Sequence, residues 1–166
     1  MGQYVVFKSH KQVFALPVEM VKRVIETEKF ISLPEVPDYV LGVYEYQEQM
    51  LPIVDLSKRL YGELSPATLD SKVILAHWSE RTMGIFVEEI VGIMSLTETD
   101  YEKDLDRSSL KRPYISQFLK MGDEVVIELN LDYLFNSSQE EEIISSVDSI
   151  TENSEKEENT DDAAEH

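Results

Sequence analysis

The sequence predicts an all-β (mainly) protein: two related lobes around a shared hydrophobic core, with short helices and an acidic C-terminal tail. Three observations carry this. Short runs rich in Val, Ile, Phe and Tyr alternate with polar or glycine-containing turns, the pattern of paired strands. No helical stripe of about 12 residues interrupts them, which argues against a parallel α/β sheet. Two patterns then recur in the same order. Val18-Glu19-x-Val21-x-x-Val24 matches Val87-Glu88-x-Ile90-x-x-Ile93, and Val54-Asp55-Leu56 with Leu60 matches Leu129-Asn130-Leu131 with Phe135. The offsets are 69 and 75 residues, a difference that one loop insertion accounts for.

Along the chain, Tyr4 to Phe7 and Val13 to Leu16 flank the polar turn Ser9-His10-Lys11. Val18, Val21 and Val24 are spaced by three, which fits a short helix or a bulged strand. Leu33-Pro34-Glu35-Val36-Pro37 is a proline-bounded loop. Gly42 to Tyr46 and Met50 to Val54 form a hairpin about Gln47-Glu48-Gln49. Ser57 to Tyr61 reads as a short helix closed by Gly62, with Asp55 as its N-cap or as acceptor for backbone donors at the strand end. Val73 to Ala76 with Met83 to Val87, and Ile115 to Met121 with Val125 to Leu131, form two more hairpins.

The body is residues 1–136 and the tail 137–166. The chain carries 15 Lys and Arg against 33 Asp and Glu, a net charge of −18. The tail holds eleven acids and one base, so it supplies −10 and the body −8. Such a balance argues against nucleic acid and anionic membrane, which need a basic footprint. Ser138 and Glu141 have the spacing of a capping box, and Ile143, Val147 and Ile150 then follow at i, i+4, i+7. A helix over 139–150 is expected, docked on the body, offered to a partner, or frayed in solvent. Disorder is expected from Thr151 on. With no long apolar run and no room for a signal peptide before Tyr4, a cytoplasmic protein is expected.

Catalytic and metal chemistry find little to use. The chain has no Cys, which removes thiol nucleophiles and thiolate metal sites. His10, His77 and His166 are scattered, and no Gly-x-Ser-x-Gly elbow occurs. Asp100, Glu102, Asp104 and Asp106 alternate as a calcium loop begins. The places that need Gly and a bidentate Glu hold Leu105 and Lys111. Pro52 to Leu56 has the form of a strand ending in a phospho-acceptor Asp, without the alternating strands and helices that would gather the other acids. No phosphate-cradling glycine loop is present. A binding module is favoured over an enzyme. Tyr44 and Tyr46 share one face of a strand, with Tyr39 just before, and exposed tyrosines mark contact surfaces. In the opposite register both rings pack inward, and Val43 and Glu45 face water.

The body is similar to the CheW-like family, the bacterial chemotaxis coupling proteins, over about residues 3–135. The elements that carry the resemblance run in family order. They are Val5-Val6-Phe7, Phe14 to Val18 with Val21 and Val24, Leu33-Pro34 with Pro37, and Tyr39-Val40-x-Gly42-Val43. Leu51 to Leu56, Gly84-Ile85-x-Val87-Glu88-x-Ile90, Tyr114-Ile115 and Ile127-x-Leu129-Asn130-Leu131 follow. The resemblance implies two small five-stranded SH3-like β-barrel lobes, no enzymatic activity and no cofactor. It implies an adaptor between the regulatory domain of a CheA-type histidine kinase and the cytoplasmic tips of chemoreceptors. It places partner contacts at Val21, Arg23, Val24, Gly42, Val43, Tyr44, Tyr46, Gln47 and Glu48.

Departures from the family fall at that interface. Where the family reads Asn-Leu-Arg-Gly, this chain has Glu45, Tyr46, Gln47 and Glu48. Gln47 supplies neither the charge nor the five-donor fork of Arg. Arg23 replaces the usual Glu two residues past Val21, and Gln117 replaces the Gly after Tyr114-Ile115. Core positions match, so the fold expectation stands. The interface reads as retuned toward a dedicated partner. Two other readings are a divergent module that occupies kinase or receptor sites without standard coupling, or serves surface motility, and a small-molecule site between the lobes.

Overall fold

The computed structural model describes residues 2–26, 30–99 and 112–164, with side chains to residue 150. Ten strands, two helices and two 3₁₀ turns are formed among them. In chain order the strands are β1 (Gly2–Ser9), β2 (Gln12–Pro17), β3 (Val21–Ile25), β4 (Val40–Tyr46) and β5 (Gln49–Asp55). Then come β6 (Lys72–Trp78), β7 (Arg81–Val87), β8 (Glu89–Glu98), β9 (Ile115–Met121) and β10 (Glu124–Leu129). Helix α1 (Leu56–Tyr61) follows β5, and α2 (Ser137–Ala164) closes the chain. The Asp100–Asp106 acids lie outside the described residues.

The strands form two five-membered sheets. One is a closed barrel in the order β1-β2-β10-β9-β8, and the other runs β3-β6-β7-β5-β4. The chain begins the barrel, leaves to build the whole second sheet, and returns to finish the barrel. The two orders superimpose strand for strand, with β8, β1, β2, β10 and β9 in the places of β3, β6, β7, β5 and β4. Each sheet holds one parallel pair at the equivalent position, β2 with β10 and β5 with β7.

The internal repeat expected from the sequence therefore maps onto equivalent strand ends. Asp55 N–H donates to the Tyr39 carbonyl at 2.8 Å, and Asn130 N–H donates to the Tyr114 carbonyl at 2.8 Å. Each polar side chain then caps the turn that follows: Asp55 accepts from Lys58 N, Asn130 from Asp132 N. Tyr39 and Tyr114 are 75 residues apart, the offset of the second sequence match, and belong to the same repeat.

Strands β1, β2, β5, β6 and β7 carry continuous apolar runs because both of their sides are buried. In β1 and β2, Tyr4, Val6, Val13 and Ala15 point into the barrel, while Phe7, Phe14 and Leu16 join the core between the lobes. Pairing keeps each face together: Val6 opposes Ala15, and Phe7 opposes Phe14 with their rings stacked at 5.9 Å. Leu51, Ile53, Val73, Leu75 and Phe86 fill the second sheet. Val54, Leu56, Ile74, Trp78, Ile85, Leu129, Leu131 and Phe135 form the shared core.

Two local differences from the sequence reading have clear causes. The Val18–Val24 spacing is divided between a 3₁₀ turn (Val18–Met20) and β3, whose register shifts between Val21 and Arg23. Strand β8 had no clean alternation to betray it, since only Leu96 of its ten residues is buried. Helix α1 ends at Gly62, whose φ of 79° is the left-handed C-cap expected there. Helix α2 is opened by Asn136 and Gln139, which exchange hydrogen bonds at 2.8 and 2.9 Å, two residues before the box expected at Ser138 and Glu141. It spans Ser137–Ala164, against a reading of helix over 139–150 and disorder beyond. Ile143 sinks into the shared core, and Val147, one turn on, is also buried. Arg81 holds Asp148 through two hydrogen bonds of 3.0 and 3.2 Å.

The barrel also buries an acid. Glu128 is 5 % exposed and faces the Tyr4 hydroxyl and Gln117. Burial, then the hydrogen bond and charge of Glu128, push the Tyr4 phenol up to about 12, while Gln117 opposes the shift. The folded value lies above the unfolded one of about 10. This group's contribution to stability is therefore complete below about pH 10 and is lost as pH rises through 12. Ultraviolet titration of the tyrosinates is expected to show a late-ionising phenol near pH 12. Tyr4→Phe should remove that phase, and its persistence would assign the phase to another tyrosine.

A candidate partner-binding face on the second lobe

The second sheet ends in β3 on one side and β4 on the other. The segment after β3 folds back onto β4, where Ile31 and Val43 exchange backbone hydrogen bonds of 2.9 Å each. Gly42 permits this approach. Its φ is 152°, which L side chains rarely adopt, and a Cβ there would run into the Ile31 carbonyl oxygen. Gly42 and Val43 are both buried beneath the face, so they shape it by position.

Around them the expected contact residues divide by exposure. Val21 is half-buried and packs on the shared core. Arg23 and Val24 are exposed on β3. Tyr44 and Tyr46 are half-buried against the second lobe's interior, close to the inward alternative, with Glu45 facing water and Val43 fully covered. Gln47 and Glu48 are exposed at the hairpin tip, and Gln47 Nε2 donates to the Tyr46 hydroxyl at 3.4 Å. Both tip residues are left-handed, with φ of 49° and 65°, as the tight two-residue hairpin requires. The β6–β7 tip repeats this with Ser79 and Glu80 at 46° and 61°.

The fold brings these tips together with helix α2 around an open cleft of about 920 Å³. Glu45 and Glu48 line it, as does Lys22 of β3; Arg23 and Val24 do not. Trp78, Glu80, Arg81 and the α2 residues Ile143 and Asp148 also line it. Sequence reasoning missed all five as site residues, because they lie in segments far apart in the chain. The signals available were the polar turn Ser79-Glu80-Arg81-Thr82 and the amphipathic spacing of Ile143 and Val147.

The His10 ring has two polar neighbours. Ser57 Oγ is 3.4 Å and Glu63 Oε2 3.8 Å from its Nδ1. Both meet the same ring nitrogen, so the imidazole cannot relay a proton from one to the other. The ring stacks on Tyr61 at 4.1 Å and serves as a contact between the lobes. Among the described residues no group of three His, Asp or Glu is placed to hold a metal ion, and no helix is long and apolar enough to cross a membrane.

A pair of fused β lobes carrying an exposed strand edge and a hairpin face is the build of a protein-interaction scaffold. The family model of the CheW-like domain matches residues 3–139, and the chain belongs to that family. It is 26% identical over 140 residues to Chemotaxis protein CheW of Rhizobium meliloti, covering 84% of this chain and 90% of that one. Chemotaxis protein CheW of Thermotoga maritima is 27% identical over 127 residues, 76% and 82% of the two chains. Protein PilI of Pseudomonas aeruginosa is 27% identical over 99 residues, 60% and 56% of the two chains. The crystal structure of scaffolding protein TtCheW from Thermoanaerobacter tengcongensis superimposes with a TM-score of 0.71 at 19% identity, over 83% of this chain and 94% of that one. This likeness establishes the fold of two five-stranded lobes expected from the sequence. The chain is a CheW-like scaffold of the chemotaxis type.

Proposed function

We propose that this chain is a non-enzymatic adaptor that couples a CheA-type histidine kinase, through its regulatory domain, to the cytoplasmic tips of chemoreceptors. It works in the cytoplasm and is recruited to membrane-associated receptor arrays. The observation that supports this most is the second lobe's open side. There Arg23 and Val24 on β3, and Gln47 and Glu48 at the β4–β5 tip, are exposed on a fold matched along residues 3–139. Val21, Gly42, Val43, Tyr44 and Tyr46 hold that face in shape. Calorimetric titration of the full chain against the regulatory domain of the kinase from the same genome is expected to give micromolar or tighter binding. Arg23→Glu should weaken it several-fold at low salt, because rim charges set specificity and association rate. No heat of binding from a folded sample removes kinase coupling.

A second reading is favoured by Gln47, which stands where the family has Arg. In it the chain occupies kinase or receptor sites without activating the kinase, or serves surface motility. Kinase activity in an array reconstituted from kinase, receptor tips and this chain separates the two: activation supports the adaptor, and binding without activation supports the second.

A further inference from the structure

The cleft between α2 and the two hairpin tips has the size, floor and charge of a docking site. Its volume of about 920 Å³ equals roughly two turns of an α-helix about 10 Å across. The half-buried Met50 and Ile144 give it apolar surface. Trp78 lies beneath this surface, 1 % exposed and part of the shared core.

The charge is one-sided once internal pairing is counted. Arg81 is neutralised by Asp148. Glu45, Glu48 and Glu80 then face Lys22 alone, and among the described residues none of these three carboxylates forms an ion pair. The helix that walls the cleft continues into residues 151–164, which carry six acids and one base by sequence. The field at the cleft mouth is negative.

We propose that this cleft takes the apolar face of a basic amphipathic helix from a protein partner, with Lys or Arg side chains meeting Glu45, Glu48 and Glu80. This deepens the adaptor reading and rests on it for the identity of the partner. Its test leaves the kinase out, so the two can fail separately.

The probe is a helical peptide of about 18 Leu and Lys residues, with a Leu and Glu peptide of the same apolar face as its counterpart. Each is titrated into the full chain at physiological ionic strength. The readout is the emission of Trp78, the one tryptophan of the chain. The Lys peptide is expected to bind saturably and shift that emission. Glu45→Lys with Glu48→Lys should weaken binding roughly tenfold. Asp123→Lys with Glu124→Lys, an equal charge change on the β9–β10 hairpin of the barrel, should change it less than about twofold. Circular dichroism checks that both variants are folded.

Equal loss in the two variants would reduce the effect to diffuse attraction by an acidic protein and overturn the proposal. Binding that leaves Trp78 emission unchanged, or no binding of the Lys peptide, would do the same. Preferential binding of the Glu peptide would assign the cleft to an acidic occupant, such as the tail of a second copy, and overturn it as well. In each case the calorimetric result with the kinase domain stands on its own.

Discussion

Gly42→Ala is expected to destabilise the protein by about 2–4 kcal/mol, a large loss for the addition of one methyl group. Two costs combine. The backbone at φ 152° is strained for any residue with a Cβ. The new methyl would also meet the Ile31 carbonyl oxygen, a backbone atom that no side-chain rotation can move. Relief requires Ile31 to withdraw, which breaks both of its hydrogen bonds to Val43. Urea unfolding measures the loss. Hydrogen exchange locates it: the Val43 amide should lose protection before amides of the barrel such as Val6. An Ala variant as stable as the parent would show that this bridge does not close the second lobe. Because Gly42 underlies the β4–β5 hairpin, the same change should also weaken partner binding.

Asp55→Ala is expected to cost a similar amount, about 2–4 kcal/mol. The carboxylate is 1 % exposed and accepts three hydrogen bonds. Lys58 N–H donates at 3.3 Å, Ser65 N–H at 2.8 Å and Ser65 Oγ–H at 2.7 Å. One side chain thus caps α1 and ties down the chain beyond it. Alanine leaves these donors short of an acceptor in a site with little access to water. Asp55→Asn is the informative comparison. Asn130 occupies the equivalent place in the barrel and caps its own turn at 3.1 Å, so an amide can serve as a cap. It cannot supply both oxygens: Oδ1 of Asp55 accepts from Lys58 N–H and Ser65 Oγ–H, and Oδ2 from Ser65 N–H. The Asn variant should fall between parent and Ala in chemical denaturation, with the slope unchanged. If Ala and Asn are equally mild, water replaces the carboxylate and the site is less closed than its burial indicates.

The predictions meet at one feature of the architecture. The lobes are equivalent in strand order and in the capping at the end of β5 and β10, yet they have diverged in what they present. The barrel is closed and keeps its buried acid paired with Tyr4 and Gln117. Among the described residues the second lobe is closed by one isolated bridge, Ile31 with Val43, and it carries two charged hairpin tips. Substitutions in the second lobe should therefore affect stability and binding together. The Tyr4 substitution in the barrel should change stability and its alkaline dependence and leave binding alone.

The local structure of this protein was legible in its sequence. Strands buried on both faces leave continuous apolar runs, and Val5 to Phe7, Val13 to Leu16 and Val73 to Ala76 could hardly be anything else. The Asp55 cap and the Gly62 stop were readable because caps act over three or four residues. The repeat was readable because equivalent strand ends need equivalent polar groups. Strand β8 and the true cap of α2 were not, since the first is half-exposed and the second competes with a similar pattern two residues on.

Tertiary structure alone decided which strands belong to which lobe, because a strand's own residues do not say which neighbour it will hydrogen-bond. It also decided that Tyr44 and Tyr46 lean inward, since alternation fixes that two side chains share a face but not which face is buried. It decided the cleft, whose walls come from β3, two hairpin tips and a helix more than a hundred residues from the first of them. Charges drawn from such separate segments form a field only when the core between the lobes holds them in place.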